Sequence, residues 1–275
     1  MIEIPEAVVL SHQLNESIKG KIITDVVTGY SPHKFAFFYG DPQNYASLLI
    51  GEKVNDSYPR GGMVEISAGK ARIVFGDGAN LCYFSPGSKL PDKHQLLVGF
   101  DDNSFLAVTV QMYAGLWAFP ENTLENPYYL VAGEKPFVLS DMFSKDYFLN
   151  LISEESLKNK SAKALLATEQ RIPGLGNGTL QDILFNAGIH PKKKTQDLSE
   201  QQKEQLFFSI KNTISEMCEL GGRDTEKDLF GAFGRYKTKL SKNTSGKPCD
   251  KCGSIVVKEN YLGGSIYYCK ECQPL

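Results

Sequence analysis

A chain of 275 residues is long enough for two domains, each with its own core. With 41% hydrophobic and 23% charged residues it has an ordinary globular composition, and a net charge of −2 excludes a basic field over the whole molecule. No apolar run approaches the roughly 18 residues of a membrane helix, and no basic-then-apolar leader opens the chain. A cytoplasmic protein without disulfides is therefore expected.

Pro5 and Gly20 frame a first helix in which Leu10, Leu14 and Ile18 recur every four residues. Short runs rich in β-branched and aromatic residues follow at 22–27, 34–39, 63–67, 71–75, 81–84, 96–100 and 105–111, the last two joined by the turn residues Asp101, Asp102, Asn103 and Ser104. Short strands with tight turns predict an antiparallel sandwich or barrel rather than βαβ units. The stretch 122–135, with Pro127 and Gly133, reads as a linker. Helices dominate after it. Ser140 is expected to cap a helix carrying Phe143, Tyr147, Leu149 and Leu151, and Ser161 to open another with Leu165 and Leu166. A longer helix over 199–220 has Ser199 and Gln202 as a capping box, a face of Leu206, Ile210, Ile214 and Met217, and Gly221-Gly222 as its stop. The expected class is α+β multidomain: a β-sandwich over 1–120 with a leading helix, a linker over 121–139, a helical domain over 140–235 and a ribbon over 236–275.

Cys249, Cys252, Cys269 and Cys272 form two Cys-x2-Cys pairs sixteen residues apart, the spacing of a four-cysteine zinc site. Between them, 255–257 and 266–268 flank Gly263-Gly264 as a hairpin, and Gly253 supplies the backbone freedom the first knuckle needs. Four protein ligands leave no open position, so one structural zinc ion is expected. The two remaining cysteines, Cys82 and Cys218, read as small buried apolar residues.

Two basic clusters stand out. Arg235, Lys237, Lys239, Lys242, Lys247 and Lys251 run into the ribbon. Lys158, Lys160, Lys163, Arg171, Lys192, Lys193 and Lys194 surround the glycine-rich 173–178 segment, which precedes a helical stretch over 179–186. Backbone N–H groups at such a loop and helix start favour a phosphate, so nucleic-acid backbone is the expected partner.

The segment from Arg171 through Gly176 to Asn177, followed by the run from Asp182 to Pro191, resembles the helix–two-turn–helix of formamidopyrimidine-DNA glycosylase and endonuclease VIII. The opening Met1-Ile2-Glu3-Ile4-Pro5-Glu6, the Lys93-His94 pair, the 133–140 stretch and the closing Cys272-Gln273 fall in the same family order. The resemblance implies an N-terminal β-sandwich, a helix–two-turn–helix domain, a zinc ribbon and a DNA groove, in a monomer that flips damaged nucleotides from duplex DNA and has no membrane partner. It implies that Glu3 is the catalytic carboxylate, that Asn177 (with Gly176 at its turn) and Lys163 bind phosphate, that Lys158 and His94 contact DNA, and that Tyr113 is the wedge filling the gap left by a flipped base. The family's nucleophile is an N-terminal proline amine; here Ile2 stands at that position, so the amine of Met1, or of Ile2 if Met1 is removed, is the candidate. Gly62, Gln111 and Gly264 stand where the family places a lysine and two arginines. The expectation is a glycosylase with weak or absent lyase activity. The alternatives are an inactive binder of damaged or structured nucleic acid and, from the ribbon alone, a protein-binding module.

Overall fold

The computed structural model describes all residues from Met1 to Leu275. The chain forms two compact units: Met1–Leu130 together with Leu220–Arg235, and Val131–Glu219 together with Tyr236–Leu275. The sequence places 220–235 with the helical domain; the backbone packs it with the first unit. There Tyr83 N–H donates to Leu229 O at 2.9 Å, the Gln13 amide oxygen accepts from Leu229 N–H, and the Leu229 side chain is fully buried.

In the first unit, helix α1 (Ile4–Ile18) starts at Glu3, which forms a reciprocal capping box with Glu6. Its apolar face, including Leu10, Leu14 and Ile18, enters the core. The strands are β1 (Ile23–Thr28), β2 (Ala36–Phe38), β3 (Val54–Arg60), β4 (Met63–Ala68), β5 (Ala71–Gly76), β6 (Ala79–Phe84), β7 (Leu96–Phe100), β8 (Phe105–Val110) and β9 (Ala114–Pro120), with a short helix α2 (Tyr45–Leu49) before β3. They make a four-stranded sheet, β1-β7-β8-β6, and a five-stranded one, β2-β9-β5-β4-β3. Every pairing is antiparallel except β2 with β9, which is parallel. One cluster of buried residues runs through both sheets, among them Ile23, Ile66, Ile73, Phe75, Val98, Leu106 and Leu116.

Two strands escape the sequence reading. β3 contains Asn55, Asp56 and Pro59, which disguise it; it lies at a sheet edge, where a missing N–H is tolerated. β9 carries Gly115, where a Cβ would meet the Trp117 ring at 2.6 Å, so the residue that weakens the strand signal is the one that admits the indole.

In the second unit the helices are α3 (Pro127–Glu134, beginning before the boundary), α4 (Lys145–Ile152), α5 (Ala162–Ala167), α6 (Asn177–Asn186) and α7 (Glu200–Glu219). α3 occupies the middle of the stretch expected to be a linker. Ser144, not Ser140, caps α4, accepting from Tyr147 N–H at 3.1 Å, while Ser140 donates to Phe137 O at 2.7 Å. Ser161 caps α5, and the Ser199–Gln202 box starts α7 with both bonds in place, 3.1 and 3.2 Å. The packed rings of Phe143, Phe148 and Phe207, with Leu180, Ile183, Ile210 and Ile214, form the helical core. The ribbon hairpin is β10 (Val256–Tyr261) and β11 (Gly264–Cys269), turning through Leu262-Gly263, both at positive φ. This is one residue before the expected Gly263-Gly264. Cys82 and Cys218 are half-buried rather than buried. No helix is long and apolar enough to cross a membrane.

Candidate functional site

The glycine-rich segment ends at Gly176, whose extended backbone is the N-cap of α6, so the first N–H groups of a ten-residue helix open there. Asn177 stands at this start and donates through Nδ2 to Ser265 O on β11, at 2.9 Å. One turn on, Gln181 donates to the same carbonyl at 3.2 Å and accepts from Tyr267 N–H at 3.0 Å, so the hairpin is clamped along α6 by its backbone. Lys163, on α5, is 4% exposed and donates to Tyr261 O at 2.5 Å; burial pushes its pKa down. A Cβ at Gly264 would lie 3.4 Å from Lys163 Nζ and 3.8 Å from Asn177, so the hairpin tip meets both predicted phosphate-binding side chains. Helix start, amide, ammonium and hairpin tip thus converge. Lys158 stands exposed and ion-paired with Glu155. Arg171 is turned inward: its guanidinium donates to Ala164 O and Thr168 O, at 3.0 and 3.1 Å, and pairs with Glu169, so it braces the turn.

Asp182 is the next residue on α6 and is 1% exposed. Its two oxygens accept from Lys239 N–H and Leu240 N–H at 2.9 and 2.8 Å, fixing the segment that leads to the ribbon. Burial raises its pKa to about 6 against the pull of those two bonds.

The sulfurs of Cys249, Cys252, Cys269 and Cys272 lie within 4.8 Å of one another. Cys249 and Cys272 are 3.9 Å apart and Cys252 and Cys269 3.4 Å, far longer than a disulfide. Tetrahedral thiolate ligation at about 2.3 Å requires sulfur separations of about 3.8 Å, so the four fit one metal ion. Gly253, at φ 79°, donates to Cys249 O at 2.7 Å and closes the knuckle. Gln273 accepts from Cys269 N–H and donates to Ile189 O, tying the ribbon to the loop after α6.

In the first unit, Glu3 is 5% exposed and lies beside Arg223, whose Nη1 is 3.5 Å from its Oε1. Arg223 Nε and Nη2 bind the Glu6 carboxylate at 2.9 and 2.7 Å. The Met1 amine pairs with Glu226. Ile2 donates its N–H to Asp77 O at 2.7 Å and sends its side chain into the core. Asp77 sits at φ 53° in the β5–β6 turn, a strained position for a residue with a side chain. The protein around its carboxyl pushes the pKa up, and the Met1 ammonium opposes this. Gly78, next to it, donates to Tyr113 O at 3.0 Å, so the β8–β9 turn that exposes Met112 and Tyr113 is held beside the chain start. His94 is buried, its ring stacked under exposed Tyr30 at 4.6 Å and 4°.

The candidates therefore fall into two groups, Met1, Ile2, Glu3, Tyr113 and His94 in the first unit and Lys158, Lys163, Gly176, Asn177 and the cysteines in the second. Sequence reasoning missed Arg223, Glu226 and Asp77 in the first, and Gln181 and Asp182 in the second. The helix-stop glycines before Arg223 were legible; its reach across 217 residues to Glu6 was not.

A family model described as the formamidopyrimidine-DNA glycosylase H2TH domain matches residues 133–228. A formamidopyrimidine-DNA glycosylase of Wolbachia pipientis subsp. Culex pipiens is 30% identical over 99% of this chain and 100% of its own. One of Rippkaea orientalis is 26% identical with the same coverage. Among solved structures, Lactococcus lactis Fpg in complex with DNA containing an abasic site superposes with a TM-score of 0.85 at 21% identity, covering 99% of this chain and 100% of that one. The MutM (Fpg) protein of Thermus thermophilus gives 0.82 at 20% identity, covering 98% of each.

Proposed function

The chain belongs to the formamidopyrimidine-DNA glycosylase family, and from that premise we propose how its residues divide the work of excising a damaged base. It is a base-excision DNA glycosylase, and its partner is DNA. The observation that carries the assignment of roles is Glu3, a carboxylate almost closed to solvent that opens α1 and faces a buried arginine at 3.5 Å. An N-cap needs only a short polar side chain, so such an investment in one carboxylate points to chemistry.

The damaged nucleotide is rotated out of the stack, with Tyr113 filling the space it leaves. Phosphates flanking it dock on the α6 N-terminus at Gly176 and Asn177 and on Lys163, with Lys158 as an outer contact. Glu3 acts at the sugar of the flipped nucleotide. The four cysteines would hold one zinc ion in a structural role, bracing the ribbon from which β10 and β11 extend. A bacterial-type enzyme of this kind works in the cytoplasm, as a monomer on damaged duplex DNA.

Strand cleavage by a covalent imine is weak. Ile2 offers no secondary amine, and its N–H is engaged by Asp77 O. The amine of Met1 is one residue displaced and paired with Glu226. The test is Glu3→Gln on duplexes carrying an oxidised base. Excision is expected to vanish with DNA affinity within about twofold of the parent; a wild-type excision rate refutes the role of Glu3. Borohydride trapping is expected to yield little adduct, and efficient trapping refutes the weak-lyase reading.

A further inference from the structure

Glu3 owes its setting to a residue far along the chain. Arg223 is 3% exposed and sits in the 220–235 segment of the first unit. It binds Glu6 through two close contacts, approaches Glu3 at 3.5 Å and points Nη2 at Met1 O, also 3.5 Å. The segment is built to deliver it. Gly222, at φ +97°, turns the chain so that Arg223 N–H faces Glu6 Oε1 at 3.5 Å. A Cβ on Gly234 would lie 2.1 Å from the Gly222 carbonyl, so the segment closes on itself only with glycine at 234. One guanidinium thus serves two buried carboxylates in unequal ways, clamped by Glu6 and facing Glu3. A carboxylate beside an arginine in a dry site is held in its charged form.

We propose that Arg223 is a positioning residue for base excision: anchored by Glu6, it holds Glu3 as an ionised carboxylate that accepts a proton. The inference rests on the role given to Glu3 above. In the step this implies, Glu3 takes a proton from water as the water oxygen bonds to C1′. The C1′–N bond breaks with its electron pair going to the base, and the proton on Glu3 then passes to the departing base. The products are free base and an abasic sugar, and Glu3 is a carboxylate again. The other charged or titratable groups around this cluster are Glu226 and the Met1 amine, Asp77 with Tyr113 beyond it, and Lys227 and Asp228 from the same segment.

The test is the pH–rate profile of single-turnover excision for wild type, Arg223→Lys and the double variant Arg223→Met with Glu6→Gln. The double variant removes one charge of each sign, so it folds where Arg223→Met alone would strand two buried carboxylates; thermal melting checks this. The expected result is a rate at neutral pH lower by 10- to 100-fold and an acid limb moved up by about one unit or more, with DNA affinity unchanged. Arg223→Lys restores much of both. A wild-type rate and profile in the double variant overturn the proposal. So does an equal loss at every pH accompanied by weakened DNA binding, which is the mark of a merely structural arginine. A wild-type rate in Glu3→Gln instead overturns the assignment of Glu3 on which the proposal stands.

Discussion

Asp182→Asn isolates the cost of keeping a charge inside the second unit. The folded-state pKa of about 6 stands above the ordinary aspartate value of 3.8 because the carboxyl is buried, and the N–H groups of Lys239 and Leu240 offset only part of that penalty. A raised acid binds its proton more tightly in the folded state. Its stabilising contribution is complete below about pH 4, is lost as pH rises towards and through about 6, and is flat above. That difference corresponds to about 3 kcal/mol over the whole window, of which about 1.4 kcal/mol falls between about pH 5 and 7.5. Asparagine keeps one acceptor and carries no charge, so it loses one bond at every pH but is spared the ionisation cost. Urea unfolding of both proteins across this pH range is therefore expected to show the variant gaining about 1.4 kcal/mol on the wild type as pH rises. Parallel stability curves for the two proteins, or a relative loss for the variant as pH rises, would refute the reasoning.

Three further outcomes are expected. Glu65 is fully buried between Arg60 Nε at 2.6 Å and Arg72 Nε at 3.3 Å and accepts from Tyr58 Oη at 2.6 Å, so Glu65→Gln is expected to cost about 3–5 kcal/mol in urea unfolding, and a cost below about 1 kcal/mol contradicts the network. Elemental analysis is expected to find one zinc per chain, and chelation to release the hairpin and with it most affinity for an abasic-site duplex; full affinity in the metal-free protein counts against a ribbon-dependent site. Lys163→Met is expected to weaken binding to all sequences alike and to lower the salt slope by about one; an unchanged slope shows that Lys163 serves the Tyr261 carbonyl alone.

Local signals carried what depends on local physics. The Cys-x2-Cys pairs announce a metal site because two thiolates three residues apart turn onto one side of a tetrahedron wherever the chain goes. The Ser199–Gln202 box and the four-residue spacing of Leu10, Leu14 and Ile18 mark helices because capping and helical period act within one or two turns. Such signals mislead at Ser140, where a second serine four residues on takes the cap, and at β3, where an edge position forgives residues that a central strand would reject.

By itself, then, the sequence determined the four-cysteine ribbon, the helices of the second unit after α3, most strands of the β-sandwich and the family membership that its ordered motifs imply. Only the tertiary structure decided what surrounds Glu3. Arg223 and Glu226 lie more than 200 residues from the carboxylate and the amine they face, in a segment whose glycines look like a simple helix stop. It also decided that Gly264 meets Lys163 and Asn177, a contact made by the path of a hairpin across α6. Contacts of that kind follow from how a core closes, and side-chain spacing along the chain holds no record of them.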